Sequence, residues 1–337
     1  MVCIDSFEVM QMKNQRLSGG ILAAMGMLLL ILDGKTAVEG AQAGVELCLQ
    51  TVIPSLFPFF MLSILVTGAF SGADSGTGRL LGKLFLLPAG SESVLIPGFL
   101  GGYPAGAQCI GEAYRRRQLD ENDAERMLSF CSNAGPAFLF GMVSRQFPKL
   151  WMVWALWGIQ IASALCVARV FPPGRQVRIS GADSKINLAD AMASSVSIMM
   201  QVCGWVILFR VWIAFLERWF LWLLPAYAKI MLIGLLELSN GCCMLVQIEN
   251  LKWRFLICAG LLSWGGLCVT MQTGSAAKGL SLKYYILGKL IQGLLSITFA
   301  AAIIFGFFWI VPCIVIGFLG ISAGKRKNSR FPIFVGV

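Results

Sequence analysis

The chain has 337 residues, 57% of them hydrophobic and 13% charged, with a mean hydropathy of +0.76. Soluble domains carry roughly 25% charged residues, so no segment is polar enough for a separate globular domain and an all-α, polytopic membrane bundle of about eight spans is expected. Lys and Arg outnumber Asp and Glu by 27 to 17, a net charge of +10; in a membrane chain such an excess reports orientation first. The lipid bilayer is therefore the expected partner and no nucleic acid is. There is no histidine, and the 11 cysteines fall mostly in apolar runs without a C-x-x-C pair. That composition argues against a metal site, a cofactor, a disulfide framework and a Ser-His or Cys-His nucleophile, and the chain does not read as an enzyme.

Apolar runs of spanning length, about 17 to 25 residues, lie at 17–33, 44–70, 127–147, 150–171, 192–216, 226–246, 255–277 and 286–310. Lys13 and Arg16 precede the first. Ala41-Gln42-Ala43 resembles a signal-peptide cleavage site, but it lies well beyond the apolar run, so an uncleaved first span is expected. In the second run Pro54 and Pro58 predict a bent or broken helix. The chain returns inside near Arg79 and Lys83, and Arg115, Arg116, Arg117 and Arg126 mark 111–126 as cytoplasmic, with lipid headgroups as a second use of these cations.

The segment 94–110 thus starts and ends on one side, and it is too short to cross a ~30 Å core twice at about 1.5 Å per residue. It is predicted to dip in and turn back, with the helix interrupted around Gly101, Gly102 and Pro104. Asp120 is the expected N-cap of the next helix. Within 127–147, Asn133 and Gly135-Pro136 predict an unwound turn at mid-depth. Residues 172–190, with Pro172-Pro173-Gly174, Arg175, Arg178 and Lys185, read as a cytoplasmic linker between two halves. Trp151, Trp154, Trp157, Trp219 and Trp222 read as interfacial anchors.

The second half echoes the first. A shift of 151 pairs Gln50 with Gln201 and Gly90 with Gly241, and a shift of 164 pairs Gly101-Gly102 with Gly265-Gly266 and Gln108 with Gln272. The copies start on opposite sides, as in an inverted-topology repeat. The expected organisation is an N-terminal segment and first span over 1–37, a first repeat with its following span over 38–171, the linker at 172–190, a second repeat over 191–310 and a tail over 311–337. The segment 255–277 is taken as a full crossing, which keeps Lys325-Arg326-Lys327 inside; a re-entrant 255–277 would put the tail outside or split 286–321 near Pro312.

Five motifs, in order from about residue 40 to 295, carry a family resemblance: Pro54-Ser55-Leu56-Phe57-Pro58-Phe59, Gly102-Tyr103-Pro104-Ala105-Gly106-Ala107, Phe130-Cys131-Ser132-Asn133-Ala134-Gly135-Pro136, Gly234-Leu235-Leu236-Glu237 and Ser263-Trp264-Gly265-Gly266-Leu267-Cys268-Val269-Thr270-Met271-Gln272. They resemble the YlbJ-type sporulation integral membrane proteins, within the wider nucleoside-recognition or Gate domain group. Trp264 and Thr270 stand where that pattern has Phe and His. The resemblance implies a multi-pass protein of the cytoplasmic membrane of an endospore former, with a Gate-like, transporter-related fold.

The candidate solute-binding residues are Gly101, Gly102, Tyr103, Gly106, Gln108, Ser132, Asn133, Gly135, Gly265, Gly266 and Gln272. Helix ends at such breaks present aligned dipoles and free donors or acceptors. The competing reading gives the glycines to helix packing and the glutamines to interhelical hydrogen bonds. Glu237, with Asn240 beside it, is the candidate for Na+ or H+ coupling, because an intramembrane carboxylate is costly. An ion pair of Glu237 with Lys229 or Arg210 is the alternative. The expected function is a secondary transporter or permease for a small polar or anionic solute, nucleoside-like or spore-related. The alternative is a non-transporting membrane component of spore envelope or cortex assembly. A homo-oligomer is compatible with either.

Overall fold

In the computed structural model the described residues are 20–21, 23–70, 76–87, 91, 95, 97–171, 173 and 187–328. Lys13, Arg16, Gly90 and the linker cations Arg175, Arg178 and Lys185 lie outside them. The described chain is helical, and five helical stretches are long and apolar enough to cross a membrane: Gly34–Val66, Leu150–Val170, Leu188–Trp219, Leu251–Ala276 and Lys283–Ile304. A shorter apolar helix, α1 (Ala23–Leu32), precedes them.

Helices α2 (Gly34–Leu47) and α3 (Ile53–Phe70) form one rod joined by a π-turn at Cys48–Val52. The expected break at Pro54 is thus a wide turn: proline has no N–H to give the preceding turn and its ring crowds that turn's carbonyl. Ser55 Oγ donates to Thr51 O at 2.6 Å, adding a side-chain bond within that turn. After α4 (Gly76–Phe85), the π-turn Pro97–Gly101 and α5 (Ala105–Arg115) make the expected re-entrant hairpin. Its two arms touch backbone to backbone, since a Cβ on Gly106 would stand 2.8 Å from Gly98 Cα. This explains Gly106 as a close-packing residue.

Helix α6 (Glu121–Cys131) begins as expected at Asp120, whose side chain accepts from Asp123 N at 2.7 Å. It stops at Ser132, and α7 (Pro136–Gly141) resumes after an extended stretch. Helix α8 (Leu150–Val170) then returns along the bundle. Arg126 corrects the sequence reading. It is buried rather than in contact with headgroups, and it donates to Phe85 O, Leu86 O, Ala168 O and Phe171 O at 2.8–3.1 Å. The ends of α4 and α8 leave carbonyls without intrahelical partners, and a guanidinium has enough donors to satisfy several at once.

The second half begins with α9 (Leu188–Trp219), which lies antiparallel to α2: Gly40 meets Ala214 and Gly44 meets Ile207. The segment 226–246, expected to cross, does not. Helix α10 (Ala226–Leu236) is followed by one extended residue, Glu237, and α11 (Leu238–Met244) folds back on it, so closely that Gly241 has room for no side chain against Gly234. Eleven residues of α10 reach about 16 Å, half the apolar core. The segment 255–277 lies in a stretch long and apolar enough to cross, but in two pieces, α12 (Leu251–Trp264) and α13 (Gly266–Ala276), with Gly265 left-handed at φ 80° between them. Helices α14 (Lys283–Ile304) and α15 (Ile310–Asn328) complete the chain, separated before Pro312.

A hairpin followed by a broken helix therefore occurs twice, at 97–141 and at 226–276. The glycine pairs Gly98–Gly106 and Gly234–Gly241 occupy equivalent places in the two hairpins. This register replaces the pairing of Gly101-Gly102 with Gly265-Gly266, which sit on a hairpin tip and a helix break respectively. The hairpins open to opposite ends. At one end Arg115 Nη1 donates to Ala276 O at 3.3 Å and Ser281 N to Glu125 Oε1 at 2.6 Å. At the other, Arg254 Nη1 donates to Gln146 O at 2.8 Å. The half-exposed Trp151, Trp154 and Trp219 and the exposed Trp222 sit at helix ends on this second side, as anchors should.

With 226–246 as a hairpin, Arg116 and Lys278 lie on one side of the membrane and Val246 on the other; with it as a span, Val246 would join Arg116 and Lys278 would be opposite. Single cysteines at these positions in a Cys-depleted chain, probed with an impermeant thiol reagent, are expected to group Arg116 with Lys278.

Candidate functional site

The two hairpin tips and both broken helices converge at mid-bundle. Gly102, at φ 78°, lies against the unwound segment: a Cβ there would stand 2.6 Å from Gly135 N, and one on Gly135 would stand 2.9 Å from Gly102 N. Two of the predicted breaks, at Gly102 and at Asn133–Gly135, thus meet in a direct backbone contact. The second tip repeats it, with Gly266 at φ 84° so placed that an added Cβ would stand 3.2 Å from Leu238 N. Tyr103 crosses between the copies, its hydroxyl donating to Leu262 O at 2.9 Å beside the Gly265 pivot.

Between these elements is a cavity of about 30 Å³, room for one or two waters. Its polar and backbone lining comes from Gly101, Gly102, Tyr103, Gly135, Glu237, Ser239 and Gln272; Leu56, Val202, Val206 and Val269 supply apolar walls. Gln272 is buried and donates to Cys268 Sγ at 3.3 Å. The other candidates fall elsewhere. Gln108 is half-buried on α5 and is not part of this lining, so the expected pair of glutamines is not formed. Gly265 and Gly266 set the pivot of α12–α13, and Gly106 packs the first hairpin.

Glu237 is buried at the second tip. Its carboxylate caps α11, accepting from Ser239 N at 3.0 Å and from Asn240 N and Nδ2 at 2.7 Å. An anion at a helix N-terminus is favoured by the N–H groups that lack intrahelical partners and by the aligned peptide dipoles. The suggested ion pair is not formed: Arg210 and Lys229 both bind Glu217, at 2.9 and 3.3 Å. Asn240, expected beside the coupling group, holds the carboxylate in place.

Asn133 and Ser132 belong to a second, drier cluster behind Tyr103. Asn133 Nδ2 donates to Phe130 O at 2.6 Å, and its Oδ1 accepts from Gln292 Nε2 at 2.8 Å and from Lys289 Nζ at 3.3 Å. Lys289 also donates to Ser132 O and, at 2.8 Å, to Gln292 Oε1. A hydroxyl chain extends the cluster, Ser263 to Ser296 at 2.5 Å and Ser296 to Ser163 at 3.0 Å, with Gln160 donating to Ser263 at 2.6 Å. The sequence reading missed Lys289, Gln292, Gln160 and the serines. Lys289 stands near the start of an apolar run and reads there as a flanking cation; its recurrence with Gln292 and Ser296 at helical spacing was the available signal.

The arrangement defines a polytopic helical membrane protein whose interior is built from two hairpins and two interrupted spans. The chain is 25% identical over 320 residues, 79% of this chain and 77% of the relative, to the sporulation integral membrane protein YlbJ of Bacillus subtilis (strain 168). The YlbJ-type resemblance carried by the five motifs is borne out by this similarity, as is a multi-pass place in the cell membrane. No known family profile matches the chain, and no solved structure does.

Because Gly102 faces backbone, Gly102→Ala is expected to destabilise the protein through strain at a positive φ and a clash with Gly135, by about 1–3 kcal/mol for the overpacking alone. Thermal unfolding in detergent checks this. Loss of function on replacing Gly102 by a larger residue would likewise report folding.

Proposed function

We propose that this chain is a secondary transporter or permease for a small polar or anionic solute, used during spore formation. The reading is carried by one observation: two hairpin tips and two broken helices, arranged with opposite openings, meet at a small cavity lined in part by Glu237. Interrupted helices are costly in a bilayer and are tolerated where they line a cavity or lie within protein, and in carriers such half-helices hold solute and coupling ion between two repeats. The polar side chains and backbone of the lining suit a small polar solute, and Glu237 is the group for H+ or Na+ coupling. The similarity to YlbJ supports the sporulation setting, and the motif resemblance to the Gate group supports a nucleoside-like solute. Lining residues are Gly101, Gly102, Tyr103, Gly135, Ser239 and Gln272.

Purified protein screened by thermal shift against nucleosides, dipicolinate and amino acids, each with Na+ or with protons alone, is expected to show one solute class that raises the melting temperature. Glu237→Gln should keep the protein folded at the cost of part of a helix cap, about 1 kcal/mol, while abolishing dependence of that binding on the coupling ion. Full sporulation with Glu237→Gln would contradict the coupling role. Sporulation that needs the protein, with no solute bound by it, would favour the non-transporting alternative.

A further inference from the structure

We propose that Lys289 is a built-in cation: its ammonium occupies a monovalent-cation site formed by the break between α6 and α7, so that this break is held without a bound ion. The side chain is 1% exposed and, among the described residues, makes no ion pair. It is surrounded instead by neutral oxygens: Ser132 O from the unwound backbone, Asn133 Oδ1 at 3.3 Å and Gln292 Oε1 at 2.8 Å. The Tyr103 and Tyr285 rings present their faces at 5.4 and 5.9 Å. Carbonyl and amide oxygens converging at the C-terminal end of a helix, under aromatic faces, are the donor set that a desolvated monovalent cation requires. An ammonium has three protons to give and finds three acceptors, so here the tethered cation satisfies the site completely.

The helix geometry makes the tether necessary. Helix α6 ends at Cys131 with carbonyls facing inward, where lipid and water cannot reach them, and only Phe130 O is met by the Asn133 amide. A positive charge on α14 reaches Ser132 O at the break and clamps that helix to it; Gly288, one residue earlier, is packed against Ser129 without room for a side chain. Coupling by an external ion, if the chain couples, is thereby left to Glu237. The inference stands on the α6–α7 break alone, whether or not a solute is carried.

The test uses the full chain and Lys289→Ala in detergent, melted at constant ionic strength in NaCl, KCl, methylammonium chloride or N-methyl-D-glucamine chloride. The wild type should melt at one temperature in all four. Lys289→Ala should melt lowest in N-methyl-D-glucamine and gain about 2–4 °C, saturably, with at least one of the small cations that can enter the emptied site. Equal melting of the variant in all four salts overturns the proposal, as does a wild type that gains with the same cation. Should Lys289→Ala not accumulate, Lys289→Ser, purified with KCl present and then melted in the same four salts, is read by the same criterion: a gain with a small cation supports the proposal, and equal melting in all four overturns it.

Discussion

A helix that stops inside a bilayer leaves backbone groups that lipid cannot satisfy, and nearly every unusual residue here answers that constraint. Glu237 caps the start of α11, Lys289 and Asn133 cover the end of α6, and Arg126 gathers carbonyls from the ends of α4 and α8. Glycine answers it differently. Gly102 on Gly135, and Gly266 on Leu238, let one interrupted backbone lie directly against another. The charged groups and the glycines are thus parts of one device, and the small cavity is the space that the device leaves.

The two copies solve the problem with different chemistry. In the first, the hairpin tip is Gly101-Gly102-Tyr103 and the break in the following span is closed by a lysine from α14. In the second, the tip is a single glutamate and the break is a pair of left-handed glycines, Gly265 and Gly266. One copy therefore contributes a carboxylate to the centre of the bundle and the other receives a lysine. Tyr103 touches both settings, with its ring over Lys289 and its hydroxyl on Leu262 O. A movement of either hairpin would be felt at this residue.

Much of this was legible in the sequence because glycine and proline mark broken backbone by their own stereochemistry. Gly101-Gly102-Tyr103-Pro104 and Asn133-Ala134-Gly135-Pro136 were read as breaks, and charge parity gave the first hairpin. The second hairpin was hidden, since Leu236-Glu237-Leu238 carries neither residue type and the segment around it has the length and hydropathy of a span. A hairpin whose tip is stabilised by a side-chain cap has no compositional mark; the pair Gly234 and Gly241, seven apart, was the only trace. Lys289 was hidden for a related reason, because a cation near the end of an apolar run is normally drawn to the interface. Its inward direction depends on acceptors from a span more than 150 residues away.

The claim that the first hairpin ends within the bundle is tested most directly by a disulfide at its tip. An added Cβ at Gly101 would stand 3.8 Å from Ser63 Cβ on α3, the spacing of a bridged cysteine pair. With Ser63→Cys and Gly101→Cys in a Cys-depleted chain, mild oxidation should form the bond nearly completely in membranes, seen as a reducible shift in electrophoretic mobility. A folded double variant whose two thiols stay free under that oxidation, and remain separately labelled after unfolding, would contradict the account.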